Sequence, residues 1–176
     1  GGVGLAAQQL CKPLGCKPMG TAGSASKRTL IRFCGMGIIL GSRNTGYAEA
    51  CAAVGRFPGG VINSLTSAGF LAATLSSLGV RAQFVEIGKR DILGVRQVQM
   101  DRLEVAYHLL ATDFVPMPAN SLLNLHPLAC VLAQGFVSPL PLIAYSMGAT
   151  PSALRFLSQA RHVGKVVVNV LTVQGS

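Results

Sequence analysis

Short apolar runs alternate along much of the chain with stretches whose apolar positions recur at helical spacing. Ile38-Ile-Leu40, Val61–Leu65, Ala82–Gly88 and Val105–Leu110 read as strands. Between them, Ala25–Phe33, Tyr47–Val54 and Phe70–Leu78 read as amphipathic helices, the first capped by Ser24 and the last stopped by Gly79. Ahead of these, Leu5–Leu10 has good helix formers, and Cys16–Ser24 stands in the place of a second strand. Strands alternating with helices of this length predict a parallel sheet with right-handed crossovers. Past Lys89 the pattern loosens: Gly94–Leu103 shows no regular element, and Asn120–Gln134 reads as a helix despite Pro127. Pro139–Tyr145 is expected to be extended, Pro151–Ala160 helical, and Lys165–Val170 a closing β-branched strand.

The expected architecture is therefore α/β: a Rossmann-like doubly wound parallel sheet with a C-terminal strand–helix–strand extension. The boundary is expected at 136/137, with a nucleotide-binding domain over 1–136 and a completing segment over 137–176. The opening Gly1-Gly2-Val3-Gly4 reads as a phosphate-binding turn running into the first helix, where backbone N–H groups and the positive helix end meet a pyrophosphate. In such a unit an apolar strand leads into the turn. That first strand is missing from the segment at hand, which is read as part of a longer polypeptide, the strand directly preceding Gly1. Pro13 and Pro18 conflict with a smooth helix followed by a central strand, because proline removes a ladder hydrogen bond.

Composition narrows the class. Half of the residues are hydrophobic and 12% charged, which suits a buried sheet and argues against disorder. No apolar run reaches the ~18–20 residues of a membrane span. The formal charge is +9, yet aromatics are only 6% of the chain and basic residues are scattered, so nucleic acid is not the expected partner. Five cysteines form no zinc-type spacing; they read as buried thiols of a reducing, cytoplasmic compartment, and no metal is expected.

The end of the second strand is where such folds read the adenosine ribose, with an acid for a 2′-hydroxyl or cations for a 2′-phosphate. Here the sequence offers Ser24, Lys27 and, in the next strand-end loop, Arg43, with no acid nearby. Hydroxyl and cationic donors favour NADP over NAD. His108, His126 and His162 read as packed or surface groups rather than catalysts.

Taken in order, Gly1–Gly4 with Gln9-Leu10, Thr21–Ser24 with Lys27-Arg28, Ser42-Arg43, Asn63-Ser-Leu-Thr66, Phe84–Asp91 and Gln159–Val167 resemble the enoyl reductase domain of polyketide synthases and animal-type fatty acid synthases. That domain belongs to the zinc-free, quinone-reductase-like branch of the medium-chain dehydrogenase/reductase superfamily. The resemblance implies NADPH-dependent reduction of a 2-enoyl thioester carried on an acyl carrier protein, beside other synthase domains of one polypeptide, and it allows a homodimer without requiring one. It places Lys89 as proton donor or enolate stabiliser and Asp113 as its partner acid. Ser64 and Leu65 would line the cofactor cleft, with Ile87 and Gly88 by the nicotinamide. A free-standing NADPH quinone oxidoreductase and a vestigial, non-catalytic segment of a megasynthase stand as alternatives.

Overall fold

The computed structural model describes residues 1–65, 68–88, 92–110 and 121–170, and of 121–125 the backbone alone. Two compact units divide the chain. One gathers Gly1–Pro18, Phe33–Gly37 and Leu122–Ser176; the other holds Met19–Arg32 and Ile38–Ser121.

Helix α1 (Gly2–Cys11) opens the first unit. It begins inside the glycine run rather than after it: Gly1 is the N-cap, and Leu5 N–H already bonds to Gly1 O at 3.1 Å. The expected turn is thus the helix's own first turn. The conflict over the prolines also dissolves. Pro13 falls in the turn after α1, and Pro18 directly precedes strand β1 (Met19–Ala22), so neither removes a ladder bond.

The second unit carries β1, α2 (Ala25–Phe33, its last residue falling in the first unit), β2 (Ile38–Gly41), α3 (Tyr47–Ala53), β3 (Gly60–Asn63), α4 (Phe70–Ser76), β4 (Gln83–Glu86), α5 (Val95–Asp101) and β5 (Ala106–Leu109). Its strands form two parallel ladders, β1–β2 and β3–β4–β5. In the doubly wound order the second and third strands lie on one side of the first, and the fourth to sixth on the other. The two ladders have the makeup of those groups. In the longer one Gly60 pairs with Gln83 and Gln83 with Ala106, a step of 23 residues each time.

One face of this ladder is packed. Leu71, Leu75 and Leu78 lie at helical spacing and meet Ala82, Phe84, Val98, Val105 and Tyr107 in a single buried cluster. Phe84 is fully enclosed, and its ring centroid lies 5.2 Å from that of Tyr107. The C-terminal end of α4 is capped from a distance: Arg102 donates from Nη1 to Leu75 O at 2.5 Å and from Nη2 to Leu78 O at 3.2 Å. A cation there adds donors to carbonyls at and just past the helix end and complements its negative end. Helix α5 corrects the expectation of irregular structure over Gly94–Leu103. Its apolar positions make no stripe, since only Val98 is buried, and one anchor in the core holds what local periodicity does not announce.

Back in the first unit, α6 (Ser121–Ala133) continues through Pro127, and β6 (Leu142–Ser146), a 3-10 turn, α7 (Thr150–Ser158) and β7 (Lys165–Asn169) form the expected strand–helix–strand extension. Gly164 precedes β7 at φ +74°, and a Cβ there would overlap the Pro141 carbonyl oxygen, with the carbonyl carbon at 2.8 Å. Lys165 N–H donates to that same carbonyl. Gly164→Ala is expected to cost more than the ~1–2 kcal/mol of a left-handed backbone alone, read as a lowered urea midpoint.

Candidate cofactor site

Strands β1 and β2 end in register at Ala22 and Gly41, so the loops that follow, Gly23-Ser24 and Ser42-Arg43, leave side by side. Arg43 Nε donates to Gly23 O at 2.8 Å, and a Cβ on Gly23 would stand 3.4 Å from that nitrogen. Ser24 Oγ accepts the Lys27 backbone N–H at 3.3 Å, an N-cap bond that opens α2, and lies 3.1 Å from Ser26 Oγ. Arg28 donates from Nη1 to Ala22 O at 3.1 Å. Ser24 and Arg43 thus stand at neighbouring strand ends beside the start of α2, with the Lys27 backbone on Ser24 and Arg28 on Ala22 O. A hydroxyl and a guanidinium at a helix start suit a phosphate dianion.

A second group of candidate residues follows the neighbouring ladder. Ser64 and Leu65 leave β3, and Ile87 and Gly88 leave β4, at paired strand ends. Two buried polar side chains tie these loops. Glu86 Oε2 accepts from Asn63 Nδ2 at 2.7 Å, and Glu86 Oε1 accepts from Gly88 N–H at 2.5 Å. Asn63 Nδ2 also donates to Leu65 O at 3.1 Å, and Leu65 N–H donates to Asn63 Oδ1 at 3.3 Å. Asn63 and Glu86 are 3% and 2% exposed, so this is a core network despite its polarity. Tyr107 sits beside it; burial, then the Glu86 charge, pushes its phenol up. Among the described residues its hydroxyl has no hydrogen-bond partner. Asn63 and Glu86 carry no role in the sequence-based assignment because their partnership spans 23 residues.

In the other unit, the glycine start of α1 has a cation beside it. A Cβ on Gly2 would lie 3.0 Å from Lys165 Cε, while one on Gly1 or Gly4 would meet nothing within 4 Å. Among the described residues no side chain caps the helix N-terminus, so Gly1, Gly2, Val3 and Gly4 present backbone in its first turn. Lys165 is a second residue not foreseen. Gln9 Oε1 accepts from Ser138 N–H at 2.6 Å, and Gln8 donates to Cys34 O at 2.7 Å, holding α1 within its unit.

Lys89 and Asp113 lie outside the described residues. His162 packs edge-on to Phe156, and His108 Nε2 stands 2.9 Å from Gln83 Oε1 on an exposed face. The thiols depart from expectation: Cys16, Cys34 and Cys130 are exposed, Cys11 is half-buried, and Cys51 alone is buried. Each of the three sits on a loop or an outward helix face, where no core packing reaches it. Burial pushes the Cys51 thiol up.

Residues 48–168 match the family described as zinc-binding dehydrogenase. The chain belongs to this family. Within it, the relatives point to one branch. A spectinabilin polyketide synthase system protein of Streptomyces orinoci is 35% identical over 178 residues, covering 97% of this chain and 8% of that protein. The CurK enoyl reductase has a TM-score of 0.87 and 32% identity, over 96% of this chain and 52% of that one. A mycobacterial protein complexed with NADPH has a TM-score of 0.80 at 20% identity, over 96% of this chain and 53% of that one, and shares the fold. The dehydrogenase-family chain is thus of the enoyl reductase kind found in polyketide synthases, with an oxidoreductase's nucleotide-binding architecture. It spans about half the length of the enoyl reductase it matches and under a tenth of the synthase protein. Despite the family's descriptive name, no group of three or more His, Cys, Asp or Glu fit to hold a metal occurs among the described residues. No helix among them is long and apolar enough to cross a membrane.

Proposed function

We propose that this chain is the nucleotide-binding part of an enoyl reductase that uses NADPH to reduce 2-enoyl thioesters on an acyl carrier protein, within a polyketide or fatty acid synthase polypeptide. The observation that carries the cofactor choice is Arg43 seated against Gly23, beside the Ser24 cap, at the strand end where the ribose is read. NADPH, when bound, supplies hydride to the substrate's β-carbon. Ser24, Lys27 and Arg43 would hold its 2′-phosphate, and Gly1–Gly4 with Lys165 its pyrophosphate. Ser64, Leu65, Ile87 and Gly88 would form the wall on the nicotinamide side. Lys89 would donate the proton that the α-carbon needs, and Asp113 would keep the ammonium charged and aimed.

Cofactor titration on the full-length polypeptide, followed by nicotinamide fluorescence, tests this reading. Arg43→Ala is expected to weaken NADPH about 10- to 100-fold, the worth of one charge-assisted hydrogen bond. NADH binding should change less than about threefold, since it lacks the phosphate. Equal loss for both cofactors would remove Arg43 from phosphate recognition. Cofactor binding without reduction of a crotonyl thioester would leave a vestigial nucleotide-binding segment, and reduction of quinones alone would leave the quinone oxidoreductase reading.

A further inference from the structure

We infer that Glu86 and Asn63 form a positioning pair that presets the two loops facing the nicotinamide half of the cofactor, an inference that rests on the cofactor reading above. The pair closes strands β3 and β4 at their last residues, which are register partners. Each side chain controls backbone two residues beyond its own strand end. Asn63 holds Leu65 by both its N–H and its carbonyl, and Glu86 holds Gly88 by its N–H. The bond between Nδ2 and Oε2 then locks one loop to the other.

Stability alone does not call for such an arrangement. Burying a carboxylate and a carboxamide at 2–3% exposure is costly, and apolar side chains of similar volume fill a core at no such cost. The directionality of the bonds is what the apolar alternative lacks. In a doubly wound fold the ligand lies outside the carboxyl ends of the strands, and the second group of strands serves the second mononucleotide. Leu65 and Gly88 stand at that place, and the next residue in the chain after Gly88 is Lys89. Loops set before the cofactor arrives spare binding the cost of ordering them.

The test uses Glu86→Gln in the full-length polypeptide, because size and shape are kept while one acceptor becomes a donor. The introduced carboxamide would then set its NH2 against the Asn63 NH2. Turning the Asn63 carboxamide over would instead set its NH2 against the Leu65 N–H. The first costs the bond between the loops, and the second costs Leu65 its hold. NADPH is expected to bind about tenfold more weakly, while 2′-phospho-ADP-ribose, which lacks the nicotinamide, should bind within about twofold of the unaltered protein. Adding Asn63→Asp restores the bond between the loops, the introduced carboxamide donating to the new carboxylate, whose other oxygen takes the Leu65 N–H, while the Leu65 carbonyl loses its Asn63 donor. The double variant should therefore recover NADPH binding in part, tighter than E86Q and weaker than the unaltered protein.

A merely structural role would weaken both ligands equally, and that result overturns the inference, as does an E86Q variant that binds NADPH normally. If the unaltered protein binds neither ligand, the cofactor reading falls and this inference with it. Hydrogen exchange in the unaltered protein gives a check that needs no variant. The Leu65 and Gly88 amides should be protected before cofactor is added and slow by less than about twofold afterwards. Large slowing on addition would show loops ordered by the cofactor and overturn the presetting.

Discussion

Alanine at Lys89 is expected to lower turnover of an enoyl thioester by about 10²- to 10⁴-fold, the usual worth of a positioned general acid. The cofactor should bind as before, because phosphate recognition is assigned to Ser24, Lys27 and Arg43 at the end of the other ladder. The effect should therefore fall on kcat and leave the KM for NADPH within about threefold. Asn at position 113 should produce a smaller loss, since it removes only the group that holds the ammonium. Steady-state kinetics of crotonyl thioester reduction on the full-length polypeptide provide the check. If the Lys89→Ala protein kept its turnover, the proton would come from solvent or another side chain, and the assignment of Lys89 would be lost.

The second large effect concerns the packing around strand β4. Phe84→Ala is expected to cost about 3–5 kcal/mol, the range for emptying a buried aromatic site. Phe84 is fully enclosed among Leu71, Leu75, Leu78, Val98 and Val105 and lies against the Tyr107 ring, so little can collapse into the space. Set against a domain stability of roughly 5–15 kcal/mol, that loss removes about a fifth or more of the whole. Phe84→Leu, which keeps most of the volume, should cost less than about 1.5 kcal/mol. Urea titration with hydrogen exchange read at β4 distinguishes the two. Equal, small losses would mean that the cluster does not hold the ladder.

Much of this architecture was legible from residue patterns because each strand and helix announces itself locally. Ala25–Phe33 forms with the bounds its Ser24 cap and periodicity suggest, and Ile38–Leu40 and Ala106–Leu109 fall within or beside their apolar runs. Helix α5 escaped because Val98 is its only buried residue, and a period cannot be read from one point. The places of Ser24 and Arg43 were legible because both follow strand ends, whose position the pattern supplies. Glu86 and Asn63 were not, since a carboxylate in an apolar strand says nothing of what it bonds to 23 residues away. Lys165 reaches Gly2 from the far end of the chain, a proximity that no local pattern encodes. Lys89 and Asp113 fall outside the described residues and keep the roles that the family resemblance gives them.

The equal steps of the longer ladder bear on how this unit folds. Because β3 to β4 and β4 to β5 are both 23 residues apart, closing either crossover costs the same chain entropy. Neither pair has a head start from loop length. The choice falls to the strand common to both, and β4 carries Phe84, enclosed by helices from both crossovers. Folding should therefore nucleate around β4 whichever neighbour docks first. Mild truncations at Phe84 should slow folding more than they speed unfolding, while changes at Ile62 on β3 should act mainly on the unfolding limb.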